Sequence, residues 1–105
     1  MPDDAARIAR VGAVLASESR AAILCALMAG TAHTQIELAR NVGVSASSVS
    51  EHVAVLIDHG FVVTEAQGRH RYVRLANGEV AELVERLSRG VGAPAALPKV
   101  PHDLA

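Results

Sequence analysis

Apolar residues recur at helical spacing in four separate stretches of the chain. From Ala5 to Ala16, Ile8, Val11 and Leu15 share one stripe, with Gly12 and Val14 beside it. From Glu18 to Ala29, Ile23, Leu24, Leu27 and Met28 form the apolar set of a central helix that Gly30 ends. After Ser45, a helical wheel centred on Val49 gathers Ala46, Val53, Leu56 and Ile57 on one broad face and leaves Ser47, Ser50, Glu51 and Ala54 opposite. From Glu79 to Arg89, Val80, Leu83, Val84 and Leu87 fall at i, i+3, i+4 and i+7. The period changes between residues 61 and 75, where β-branched runs Phe61 to Glu65 and Arg71 to Leu75 flank a turn at Gly68 and predict a β-hairpin.

A further short helix is announced by its punctuation. Thr34 and Glu37 are spaced as a capping box, Gly43 supplies a turn, Ser45 is the N-cap of the next helix, and Gly60 stops it. Two short capped helices separated by a glycine turn have the sequence form of a helix-turn-helix. The pattern therefore predicts an α+β, mainly helical winged helix-turn-helix fold, with about five helices and a β-hairpin wing. Residues 1–89 are expected to form one DNA-binding domain, and residues 90–105, with three prolines and two glycines, a flexible tail. Leu97, Val100 and Leu104 in that tail either dock on a partner or stay solvated.

The helix after Ser45 carries the candidate chemistry. Its outward face is small and polar, which allows close approach to base edges in a major groove about 12 Å wide, where serine donates or accepts and a carboxylate accepts from cytosine N4. Ser45, Ser47, Ser48, Ser50, Glu51 and His52 are the groove candidates, with Ser48 on the flank. The plainer reading of such a face is solvation. Thr34 and Gln35, at a helix amino terminus, are placed to meet phosphate. Arg69, His70, Arg71 and Arg74 concentrate positive charge on the hairpin, suited to phosphate or minor-groove contacts that position a protein without reading sequence. Alternatively, these arginines only keep an exposed strand edge soluble.

Composition constrains this picture. The chain has 105 residues, 50% of them hydrophobic, with one Tyr, one Phe and no Trp, so Ala, Val and Leu must fill a single aliphatic core. A net charge of −1 argues against a blanket electrostatic binder and leaves DNA affinity to locally placed arginines. No stretch reaches the roughly 20 apolar residues that span a bilayer, and Met1-Pro2-Asp3-Asp4 lacks the basic and apolar regions of a secretory signal, so a cytoplasmic location without membrane contact is expected. The single Cys25 cannot form an internal disulfide and is expected as a small buried thiol. No nucleophile, base and orienting residue come together in sequence, and no glycine-rich phosphate loop is present, so an enzyme is not expected.

Several blocks together resemble the ArsR/SmtB winged-helix repressors: residues 15–27 (LASESRAAILCAL), Glu37-Leu38-Ala39, residues 49–53 (VSEHV), Leu56, Gly60-Phe61-Val62, and Gly68-Arg69 with Tyr72. The likeness covers about residues 8–89 and rests on the order and spacing of the blocks. It implies a homodimer on a palindromic operator, with Ile8, Val11, Leu15, Val80, Leu83, Val84 and Leu87 of the first and last helices packed across the two-fold axis.

Resemblance to metal sensors raises the matter of a cation. The thiolate pair of the arsenic and cadmium sensors is replaced by Thr34 and Ile36, and the last helix offers Glu79, Glu82 and Glu85 where the zinc, cobalt and nickel sensors use Asp and His. Cys25, His33, His52, His59, His70, His102, Asp3 and Asp4 are scattered. Of the histidines, His52 is assigned to structure or DNA contact, and His59 to capping carbonyls in the last turn of its helix. A pair such as His33 or His70 with His102 offers only weak nickel or zinc binding, so no metal or other cofactor is expected. Control then falls to a separate sensor protein or to the abundance of the regulator itself. Two alternatives stand beside this reading: a nickel- or zinc-responsive repressor with a non-standard site, and a dimeric protein-interaction module that has lost DNA binding.

Overall fold

The computed structural model describes residues 2–90. The chain runs α1 (Pro2–Leu15), α2 (Glu18–Ala26), β1 (His33–Thr34), α3 (Gln35–Val42), α4 (Ala46–Asp58), β2 (Val62–Gln67), β3 (His70–Leu75) and α5 (Gly78–Ser88). The expected tail lies, from residue 91 onward, outside the described residues.

The helices start where side chains can satisfy otherwise orphaned amides. Ser17 accepts from the Arg20 amide at 3.2 Å, Ser45 from Ser48 at 3.1 Å, and Asn77 Oδ1 from Val80 at 2.9 Å. At α3 the capping box is complete: Thr34 N donates to Glu37 Oε1 at 2.8 Å, and Glu37 N donates to Thr34 Oγ1 at 3.2 Å. α4 ends in a Schellman arrangement. Gly60 at φ +76° lets its amide reach Ile57 O (3.0 Å) while Phe61 N reaches Leu56 O (2.9 Å). His59 Nδ1 lies 3.0 Å from Val55 O, as the capping role assigned to it requires.

One core serves the whole domain. Val14, Ile23, Leu24, Leu27, Leu38, Val49, Val53, Leu56, Phe61, Val62, Val73, Leu75 and Val84 are buried together, drawn from all five helices and the hairpin. Burying each such side chain contributes about 1.5–3 kcal/mol before the entropy of ordering is subtracted.

Several expectations are corrected. α2 ends at Ala26 rather than Ala29, because Leu27 already takes up the helix's final carbonyls and the chain turns towards Gly30. Cys25 is exposed, not a buried thiol: Ile23 and Leu24 occupy the inward arc of α2, with Leu27 buried just past its end, and Cys25 projects from the other side. On α4 the buried arc is narrower than the wheel suggested, with Val49, Val53 and Leu56 inside and Ala46 and Ile57 exposed.

The hairpin pairs Val62↔Leu75 through Gln67↔His70, closing on the two-residue loop Gly68-Arg69. Gly68 alone takes positive φ (+62°), as a type II′ turn requires of its first loop residue. A third strand was not anticipated. β1 pairs antiparallel with β3, His33 opposite Val73 and Thr34 opposite Tyr72, giving the order β1-β3-β2. This pairing fixes the amino terminus of α3 to the wing.

Candidate nucleic-acid interface

α3, the turn at Gly43 and α4 form the helix-turn-helix, with Gly43 at φ +79° donating to Ala39 O at 2.8 Å. The inward side of α4 is anchored by Val49, Val53 and Leu56, so Ser47, Ser50, Glu51 and Ala54 face outward and are exposed. Ser48 is half-buried on the flank. Ser45 is occupied by its cap: its hydroxyl donates to Ser48 Oγ and lies within hydrogen-bond distance of Ser47 Oγ, both at 3.1 Å. The groove-facing candidates therefore divide into a capping pair, Ser45 and Ser48, and an outward set, Ser47, Ser50 and Glu51.

His52 takes a different position. It is half-buried, and its Nδ1 lies 3.4 Å from Nη1 of Arg20 on α2. Arg20 was not among the residues singled out from sequence. One signal was present, since a cation in the first turn of α2 opposes the helix dipole and needs a compensating partner elsewhere.

At the amino terminus of α3, Thr34 and Gln35 are half-buried, and Thr34 spends its hydroxyl and amide on the capping box. The amide bond from Thr34, followed by the bond involving its hydroxyl, holds the Glu37 carboxyl below its ordinary value; His33 and Arg40 act in the same direction. His33 Nδ1 is buried without a hydrogen-bond partner.

The wing does not present its cations as one cluster. Alternation along β3 puts Arg71 on the side of Val73 and Leu75, and His70, Tyr72 and Arg74 on the other. Arg69 and His70 are exposed at the tip, and the His70 and Tyr72 rings meet edge to face at 6.2 Å. Arg71 is exposed and reaches Thr64 Oγ1 at 3.4 Å. Arg74 is half-buried and paired with Glu65.

The residues assigned to the two-fold axis also divide. Ile8, Leu83 and Leu87 are 73%, 42% and 39% exposed, Val11, Leu15 and Val80 are half-buried, and Val84 at 5% belongs to the protomer's own core. Beside them an open groove of about 290 Å³ is lined by Leu15, Leu24, Cys25, Val84 and Leu87. Among the described residues, no three of His, Cys, Asp and Glu come together as metal ligands, and no helix is long and apolar enough to cross a membrane.

Comparison with known proteins gives this arrangement a family. A helix-turn-helix domain family matches residues 15–65. Over 80 residues the chain is 36% identical to an uncharacterized HTH-type transcriptional regulator, YdfF of Bacillus subtilis, covering 76% of this chain and 35% of that protein. Thus the match spans about a third of the length of that relative. The HTH-type transcriptional regulator CmtR of Mycobacterium bovis is 35% identical over 80 residues, covering 76% of this chain and 67% of CmtR. The homodimeric winged helix-turn-helix DNA-binding domain of Mb0332 from Mycobacterium bovis, described as a possible ArsR-family transcriptional regulator, superimposes with a TM-score of 0.74 at 26% identity. That superposition covers 84% of this chain and 81% of the other. With five helices among the described residues, a winged helix-turn-helix and relatives of this kind, the chain belongs to the ArsR/SmtB-type family of transcriptional regulators.

Proposed function

We propose that the protein binds a palindromic operator as a homodimer and regulates transcription from it. The observation that carries this reading is the division of α4, with Val49, Val53 and Leu56 sealed in the core and Ser47, Ser50 and Glu51 turned outward. Small polar side chains on a rigidly seated helix suit direct reading of base edges, while Arg69 and Arg71 at the wing suit phosphate contact. A two-fold pair of such units matches two half-sites one helical turn apart, and the exposed Ile8, Leu83 and Leu87 supply an apolar face for the pairing. The homodimeric relative from Mycobacterium bovis supports that assembly.

Control is assigned to a separate sensor protein or to abundance, because the ligand positions of the metal-sensing members are held by Thr34, Ile36, Glu79, Glu82 and Glu85. The test is fluorescence anisotropy of the full chain on its own upstream DNA and on a scrambled duplex at fixed salt, with nickel, zinc or chelator added in turn. Preference for the upstream duplex that ignores metal is the expected result. Release by stoichiometric metal would establish an intrinsic sensor instead. Absence of preference for any operator tried would favour a protein-interaction module.

A further inference from the structure

We infer that Arg20 is a positioning residue for α4, tying the carboxyl end of α1 to the imidazole of His52 and holding that imidazole in one tautomer. The inference rests on the proposed use of α4 as the DNA-reading helix.

The guanidinium of Arg20 lies where three elements meet. α1 packs on α2, and α2 on α4. Nε donates to Val14 O at 2.7 Å and Nη2 to Ala13 O at 3.2 Å. Both carbonyls belong to the last turn of α1, where helical carbonyls lack intrahelical donors and the helix dipole is negative, so a guanidinium is well matched to them. The third arm, Nη1, approaches His52 Nδ1 at 3.4 Å. A planar guanidinium held at two points has little freedom left to choose where the third points.

The chemistry of the pair sets the tautomer. Arginine has five donors, no acceptor and a permanent charge, so the contact is attractive only when Nδ1 offers its lone pair. The proton of neutral His52 then sits on Nε2. A ring protonated on Nδ1 would set a donor against a donor, and an imidazolium would add like charge. Placement of α1 is thereby passed to α4 through a single side chain, and α1 is the helix that carries the exposed Ile8. A residue in contact with neither a base nor a phosphate thus contributes to specificity by fixing how Ser47, Ser50 and Glu51 are presented.

The experiment compares operator and scrambled duplex by anisotropy for the wild-type chain, Arg20→Met, His52→Gln, His52→Asn and the double variant Arg20→Met/His52→Gln, with thermal unfolding to check each fold. Asn places its carbonyl oxygen near the position of Nδ1, whereas Gln places its amide out near Nε2. Arg20→Met and His52→Gln are each expected to reduce preference for the operator roughly 5- to 30-fold, with the salt slope unchanged. The double variant should lose no more than either single variant, and His52→Asn should recover preference relative to His52→Gln. Additive losses, unchanged preference in Arg20→Met, or His52→Gln outperforming His52→Asn would overturn the inference, the last because it marks a direct groove contact through Nε2. If Arg20→Met does not fold, the order of the two His52 variants decides.

Long-range proton–nitrogen NMR of the wild-type chain reads the tautomer without DNA. An Nε2–H ring is expected, and an Nδ1–H ring would overturn the tether whatever the DNA result. A wild-type chain that carries the Nε2–H ring yet shows no preference for any operator would instead bring down the DNA reading, and the specificity role with it.

Discussion

Arg74 donates from Nε to one oxygen of Glu65 at 2.6 Å, with Nη2 in ion-pair contact with the same oxygen at 2.6 Å, and its Nη1 reaches the carbonyls of Leu75 and Ala76 at 3.1 and 3.4 Å. All three guanidinium nitrogens are occupied within the wing. The wing arginines should consequently differ in their response to salt. Arg69→Ala and Arg71→Ala are each expected to lower the slope of log affinity against log salt by about one unit. Arg74→Ala should lower it by clearly less, and Glu65→Gln, by weakening the hold on Arg74, should steepen it. Equal slopes for all three alanine variants would show that the Glu65 pair opens on DNA.

The capping box at α3 predicts an acid-sensitive step. Glu37 accepts from the Thr34 amide, so its carboxylate is favoured in the folded state and its pKa lies below the unfolded value. The stability from that bond is present above the unfolded pKa and is lost as pH falls through the folded one. Glu37→Gln keeps an acceptor but no charge. Urea unfolding should find it less stable than wild type at neutral pH, with the gap closing in acid below the ordinary carboxylate range. A gap independent of pH would show that the carboxylate contributes nothing as a charge. Thr34→Ala, which removes the other half of the box, should cost about 1 kcal/mol at neutral pH and less in acid, because the Thr34 hydroxyl also favours the charged Glu37.

What was legible in the sequence was local. Ser45, Thr34, Gly43 and Gly60 mark the helix ends because capping and positive-φ turns depend on a few neighbouring atoms. Burial was legible only where the apolar set was narrow. α2 is apolar nearly all round, so periodicity could not say that Ile23, Leu24 and Leu27 face inward while Cys25 projects outward. Ile57 sits at i+8 from Val49, on the edge of an arc whose width depends on what packs against it. Pairing of His33-Thr34 with Tyr72-Val73 joins residues about forty positions apart through a two-residue strand that carries no period. Arg20 and His52 meet across two helices for the same reason: a cation in the first turn of α2 calls for a compensating partner, but nothing local names His52 as that partner.

The apolar residues of α1 and α5 should separate by assay. Ile8 and Leu83 are exposed, whereas Val84 is part of the core. Ile8→Glu and Leu83→Glu should shift the mass found by light scattering from dimer to monomer, because a charge buried at an interface without a partner is costly. Val84→Ala should destabilise the fold by roughly 1–3 kcal/mol through lost burial and a residual cavity, with the dimer kept at concentrations well above its dissociation constant. A dimeric Leu83→Glu variant would move the two-fold axis away from α5.

Gly43 tests whether the turn of the helix-turn-helix is held by backbone conformation alone. Its φ of +79° is left-handed, yet a Cβ added there would meet no heavy atom within 4 Å beyond the adjoining residues of the chain. Any penalty for Gly43→Ala is therefore conformational rather than steric crowding by neighbours, and should be about 1–2 kcal/mol. That loss should lower Tm by several degrees for a domain of this size. Gly43→Asn should fall between Ala and the wild type, since asparagine enters the left-handed region more readily. If the turn acts only through stability, both variants should retain wild-type operator preference well below their Tm. A loss of preference in the folded Ala variant would mean that the turn also sets the angle at which α4 enters the groove.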